Sequence, residues 1–429
     1  MSKEINISDS KKVLNEEIIV PEEDTKVEVS NVSEEIILDQ KKERFKIKFK
    51  DLIFPIVAVV TLLGIASFYY FGIYKVKPTP PSDILPFTEN FVSSVPSLKV
   101  FLSSLNLLST PNEPKTEVSP LNGLLFTKTE MDVLMGRRPV VVMINNHAVA
   151  RPQSGLNSAD IVYETNVESG ITRYLAVFWS KAPEKVGPIR SIRQYYLEWL
   201  SEYDPIVIHD GCASSDDPRV NACGNIYTYG LKDIATVGAW RWDDGKRYAP
   251  HNEYSSITYA WEYAAKMSWD KFPSTVKSWS FKNDADISNR GEKTTVNIIF
   301  HQRLSNDGYY DTTWIYDENT NSYFRKVGGQ ADLDQETNTQ VRAKNVVIQE
   351  VKMIQTGDDK GHLIIETIGS GDAVFLIDGK IVNGSWKKAS RTDRTKYYDS
   401  AGKEVSFNRG LIWIAAVPQF EGKFDIIEQ

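Results

Sequence analysis

The chain has 429 residues, 41% of them hydrophobic and 25% charged, the composition of a globular protein long enough to bury a sizeable core. Its net charge of −7 is uneven: residues 1–40 hold 11 acidic and 4 basic side chains, residues 41–50 hold 6 basic and 1 acidic, and the remainder carries −5. A mildly acidic body excludes nucleic acid as the partner, because binding a phosphate backbone needs clustered positive charge.

The first 40 residues contain no aromatic side chain and are rich in Glu, so they cannot bury enough surface to offset the entropy of ordering. With the basic run KKERFKIKFK they read as a disordered cytoplasmic tail over 1–50. Leu52 to Tyr74 is free of charge and matches the ~20 residues that cross a bilayer. It predicts a transmembrane helix over 51–74. Six Lys or Arg precede it and only Lys75 and Lys77 follow closely, which places the N-terminus inside and the main body outside the cell membrane. A Pro/Ser-rich stalk is expected over 75–119.

The folded body begins near Pro120. Thr127 and Glu130 fit a capping box for a short helix that Gly136 ends. The apolar runs Val140 to Ile144, Tyr174 to Phe178 and Ile206 to Ile208 predict buried strands, and polar residues gather at their ends, where sites are commonly built. After the first strand, Asn146, His147, Arg151 and Gln153 could project from one loop into a cleft, or hold that loop by their own hydrogen bonds. Glu164 and Glu168 near Arg173 suit acid and base chemistry, or pair with Arg173, Arg190 or Arg193 in a structural network. Arg190 and Arg193 flank a turn at the start of a helix expected over Ile192 to Glu202, an arrangement suited to a carboxylate or phosphate.

His209 ends a strand beside Asp210, as a general base would or as a satisfied structural residue would. His251 precedes a helix expected over Tyr254 to Lys266 and could share a cleft with His209 and the arginines. The histidines lack metal-ligand spacing, so no metal site and no cofactor is expected. Cys212 and Cys223, the only cysteines, lie outside the membrane by this topology and predict a disulfide, with two free thiols as the alternative in a compartment without oxidising machinery. Past about Gly291 the pattern turns to period-two strands. Asp378-Gly379 and Ala401-Gly402 mark tight turns, and Trp314, Trp386 and Trp413 are expected in the core.

MINNHAVARPQSGL, ADIVYE, ESGITRYLA and VGPIRSIR, followed later by GSGDAVFLIDGKIVNGSW and TKYYDSAGKEVSFNRGLIWIAAVP, resemble the YerB-like family of bacterial envelope proteins over roughly residues 120–425. The resemblance implies an envelope protein of a group that is commonly lipid-anchored and has no assigned activity. Three features depart from it: no lipid-accepting cysteine lies near the apolar span, Asn145 stands where the family often has Asp, and Ser169 replaces a common Gly.

The expected fold is α+β, with a mixed α/β part over 120–290 packed against a β-rich, mainly antiparallel part over 291–429, preceded by one transmembrane helix. The expected function is a membrane-anchored binding module for a cell-wall polymer, its precursor, or a wall-synthesis protein. The alternatives are an envelope hydrolase or transferase using Glu164, Glu168 and His209, and a purely structural partner of another membrane protein.

Overall fold

In the computed structural model of the chain, residues 113–302, 308–419 and 422–428 are described. The cytoplasmic tail, the apolar span and most of the stalk expected from the sequence lie outside them.

Sixteen strands carry the fold. The first are β1 (Val140–Asn145), β2 (Ile161–Asn166), β3 (Thr172–Phe178), β4 (Ile206–Ile208) and β5 (Lys232–Asp233). There follow β6 (Thr294–Ile299), β7 (Thr312–Asp317), β8 (Ser322–Val327), β9 (Gln330–Ala331) and β10 (Arg342–Ala343). The chain continues through β11 (Asn345–Val351), β12 (Gly369–Ile377), β13 (Lys380–Lys388), β14 (Lys396–Asp399), β15 (Ile412–Pro418) and β16 (Lys423–Glu428). The α-helices among the described residues are short: α1 (Lys128–Met135), α2 (Gln194–Leu200), α3 (Ala222–Thr228) and α4 (Ile257–Lys266).

A ten-stranded sheet runs in the order β14, β13, β12, β11, β15, β2, β3, β1, β4, β5. β11, β15 and β2 are mutually parallel at its centre, and β3 turns the direction between β2 and β1. One half of the sheet thus comes from late in the chain and the other from early in it, and the halves join where β15 pairs with β2. A second sheet holds β9, β8, β7, β6 and β16, with β10 paired to β8.

Every residue of β1, β2 and β3 is buried, because both faces of the large sheet are covered. Val141, Tyr163 and Leu175 pack towards Tyr196, Trp199 and Leu200 of α2. On the other face Val142, Val162 and Ala176 meet Trp261 of α4 and Val296, Trp314 and Tyr323 of the second sheet. The Thr127 capping box forms in full at α1, and Trp314, Trp386 and Trp413 are buried as expected.

The expected fold class requires correction, for the protein is β-rich rather than α+β. Continuous apolar runs announce burial on two faces but not what covers them; here a second sheet covers much of one face. The helices are shorter than expected, with Gln194–Leu200 inside the expected 192–202, and Glu253–Tyr254 is a strand that pairs with Trp240–Arg241 before α4 begins. The transmembrane helix is corrected likewise: no helix among the described residues is long and apolar enough to cross a membrane, and 51–74 lies outside them.

Candidate functional site

β1 and β4 run parallel, so their C-terminal ends open at the same end of the large sheet. Asn145 closes β1 there. Its backbone N–H donates to the Pro188 carbonyl at 2.8 Å, the Arg190 N–H donates to the Met143 carbonyl at 2.9 Å, and the Ile189 N–H donates to the Glu253 carbonyl at 2.6 Å. These bonds stitch the segment bearing Arg190 between β1 and the residues after His251. Gly187 makes this possible: its φ is +143°, and a Cβ there would sit 2.9 Å from the Glu253 carbonyl oxygen.

The His147 and His251 rings stack with centroids 4.3 Å apart. The Asn145 Oδ1 accepts from the His147 backbone N–H at 2.9 Å, so its Nδ2 is the donor to His251 Nδ1 at 3.0 Å. His147 Nδ1 accepts from the Val149 N–H at 3.3 Å. Both imidazoles therefore have Nδ1 engaged as acceptor and carry their proton on Nε2. Burial, with the charge of Arg190 and the His147 ring, pushes the His251 pKa down to about 4; burial with Arg151 and Arg190 lowers that of His147. Neutral rings in this tautomer offer N–H donors and keep no free lone pair for a general base.

Arg190 is half-buried, and its guanidinium makes no hydrogen bond or ion pair among the described residues. Burial lowers its pKa while the Asp210 charge opposes that. Tyr248, 61% exposed, stands edge-on to His251 at 5.8 Å, and Arg241 pairs with Glu253 at 2.5 Å.

The other residues expected at the site are committed to partners. Arg193 is bonded by two contacts to Glu168, Nε to Oε1 at 2.6 Å and Nη2 to Oε2 at 2.8 Å. Burial alone would raise the Glu168 carboxyl; these bonds outweigh it and hold the group below its ordinary value. Arg193 is also the cap of a seven-residue helix and gives no side-chain cap, so the expected helix-start contribution to anion binding is not built. Arg173 donates to the Ser191 carbonyl at 2.6 Å, its Nε is buried without a partner, and burial pushes its pKa down to about 10. Asn146 receives Arg151 Nε and Gln153 Nε2, both at 3.0 Å, and donates to Thr172 at 2.7 Å; this is a loop held by its own bonds. Ser169 holds φ +61°, the left-handed region in which a glycine is unstrained.

Glu164 lies on the opposite face, fully buried. It accepts from Arg325 Nη2 at 2.8 and 3.0 Å, Thr172 Oγ1 at 2.9 Å and Trp413 Nε1 at 3.0 Å, and Arg325 also bonds Asp332. Burial pushes the carboxyl above its ordinary value against four converging donor contacts that favour the ionised form, and Arg325 is raised above its ordinary value. His209 Nδ1 donates to the Gly211 carbonyl at 2.8 Å, and its Nε2 lies 3.1 Å from Asp233 Oδ1 without hydrogen-bond alignment. Among the described residues Glu164, Glu168 and His209 share no hydrogen bond or ion pair. The Cys212–Cys223 disulfide forms close by.

Sequence reasoning noted Asn145 as a departure from the family pattern but not its contacts with the two histidines, and it missed Arg325, the partner of Glu164. Arg325 carried a signal: alternation along SYFRKV puts it on the inward face with Tyr323 and Val327, where a charge requires a partner.

Among known proteins, the family model for the N-terminal domain of DUF3048, a protein of unknown function, matches residues 126–270, and that for the DUF3048 C-terminal domain matches residues 300–414. The putative lipoprotein YerB of Bacillus subtilis is 32% identical over 314 residues, 73% of this chain and 90% of that protein. The crystal structure of YerB from Bacillus subtilis aligns with TM-score 0.62 at 28% identity, covering 72% of this chain and 100% of that one.

Proposed function

The chain belongs to the DUF3048 family, and from that premise we propose that it is a membrane-associated, extracytoplasmic protein of the cell envelope that binds an anionic group of a wall polymer or its precursor. The location draws on the relative's description as a putative lipoprotein and on the disulfide, a bond favoured in oxidising compartments.

The observation that carries the binding assignment is Arg190, a half-buried guanidinium that makes no hydrogen bond or ion pair among the described residues, set beside two neutral imidazoles whose Nε2–H groups are donors. A planar cation beside N–H donors matches a carboxylate or phosphate, which would compete with the nearby Asp210 charge for Arg190. The hydrolase or transferase alternative loses its geometry, since Glu164, Glu168 and His209 are each bonded elsewhere.

Calorimetric titration of the full-length protein with phosphate-bearing wall fragments should show binding that Arg190→Gln weakens about tenfold or more, as a charge-assisted hydrogen bond is worth ~1.5–3 kcal/mol. Equal affinity in a folded variant would contradict the assignment.

A further inference from the structure

At the other end of the large sheet, where β2, β11 and β15 begin and β3 ends, lies a cleft of about 490 Å³, within the ~300–1,000 Å³ of ordinary ligand sites. Its walls carry Lys181, Arg342, Lys344 and Arg409 and no carboxylate. Lys344 is paired with Asp284 at 2.5 Å. Arg409 donates to the Gly123 carbonyl at 2.7 Å and to Asn283 Oδ1 at 3.2 Å, both uncharged acceptors. The Lys181 and Arg342 side chains make no hydrogen bond or ion pair among the described residues. Three cations thus face one cleft without an ion-paired carboxylate among the described residues, Lys181 feeling only the buried Asp160 charge behind it.

The rest of the lining is amide and hydroxyl. Asn157 Nδ2 bonds Thr337 Oγ1 at 3.3 Å and Thr339 Oγ1 at 3.1 Å, and these two hydroxyls bond each other at 2.8 Å. Asn122 and Ser180 are oriented from behind by the buried Asp160, which accepts from both. No aromatic side chain lines the cleft, so it lacks the stacking surface that a neutral sugar ring would use.

We propose that this cleft binds a phosphodiester-linked polyol chain, with phosphates against Lys181, Arg342 and Arg409 and hydroxyls against Asn157, Thr337 and Thr339. It shares with the function proposed above only the envelope location. The residues differ and sit at opposite ends of the sheet, so either site can fail alone.

The test uses full-length protein and a synthetic glycerol phosphate hexamer bearing a terminal photo-crosslinker, with inorganic phosphate and an uncharged glycerol oligomer as controls. The hexamer is expected to label peptides containing Lys181 and residues 337–344, and the double variant Lys181→Gln/Arg342→Gln should weaken that binding about tenfold, a modest figure because both side chains are exposed. Arg190→Gln should leave this labelling intact, and rising salt should weaken it. Unchanged affinity in the folded double variant, labelling confined to other peptides, equal binding of the uncharged oligomer, or inorganic phosphate competing as well per phosphate as the hexamer would each overturn the proposal.

Discussion

Replacing Arg325 by Met tests how the two sheets are held together. The guanidinium has 0% exposure, bonds Glu164 at 2.8 Å and Asp332 more closely, and lies 4.7 Å from the Trp413 ring centroid. Met keeps the apolar stem and leaves two buried carboxylates without their cation. Breaking one buried pair costs ~3–5 kcal/mol, and here two carboxylates lose one partner, so the upper half of that range applies. At roughly 2–4 °C per kcal/mol for a body of this size, the melting temperature should fall on the order of 10 °C in scanning calorimetry at neutral pH. The sign with pH is set by Glu164, whose carboxyl burial already raises and which loses its opposing cation in the variant: the penalty is present above the unfolded pKa, near 4, and vanishes as pH falls below it. Combining the variant with Glu164→Gln and Asp332→Asn should recover most of the loss. A fall of less than about 2 °C, or one independent of pH, would refute the view that the triad is held by charge.

Arg193→Gln strips Glu168 of its two-bond partner and should lose about 2 kcal/mol in thermal or denaturant unfolding, whereas Arg190→Gln should stay within ~0.5 kcal/mol; equal effects would contradict the different roles assigned to the two arginines. The His251 imidazole should titrate near pH 4 by NMR, and because this base is depressed in the fold, its contribution to stability is complete above about pH 6.5 and is lost as pH falls towards 4. Asn145→Asp should raise that midpoint and weaken anion binding, since a carboxylate would then contact His251 and add negative charge to the site; an unmoved midpoint would contradict the contact. Cys212→Ser/Cys223→Ser opens a loop of sequence separation 11 and should cost ~2–4 kcal/mol in unfolding, while unreduced wild-type protein should yield the two cysteine peptides linked; freely alkylated thiols would contradict the bond.

The strands of the central sheet were legible because their apolar runs are long and sharply bounded: β1, β3 and β4 fall where Val140 to Ile144, Tyr174 to Phe178 and Ile206 to Ile208 predicted them. The capping box at α1 was equally plain, since its chemistry lies within four residues. What local pattern could not show was partnership across the chain. Glu164 meets an arginine 161 positions away, and β15 pairs with β2 in the sheet centre, so a chain that looked like an α/β part followed by a β part folds with both parts joined in one continuous sheet. At the site, the sequence pointed to Arg190 and Arg193 together; which of them stays free depends on Glu168, whose distance from Arg193 no spacing rule supplies.

The anion site at Arg190 is tested most directly by a crystal structure of the full-length protein grown or soaked with a phosphate-bearing wall fragment. Phosphate density within hydrogen-bond distance of the Arg190 guanidinium and of the His147 and His251 Nε2 atoms is the predicted result. Arg190 bonded instead to Asp210, with no ligand density beside it at saturating fragment, would contradict the assignment.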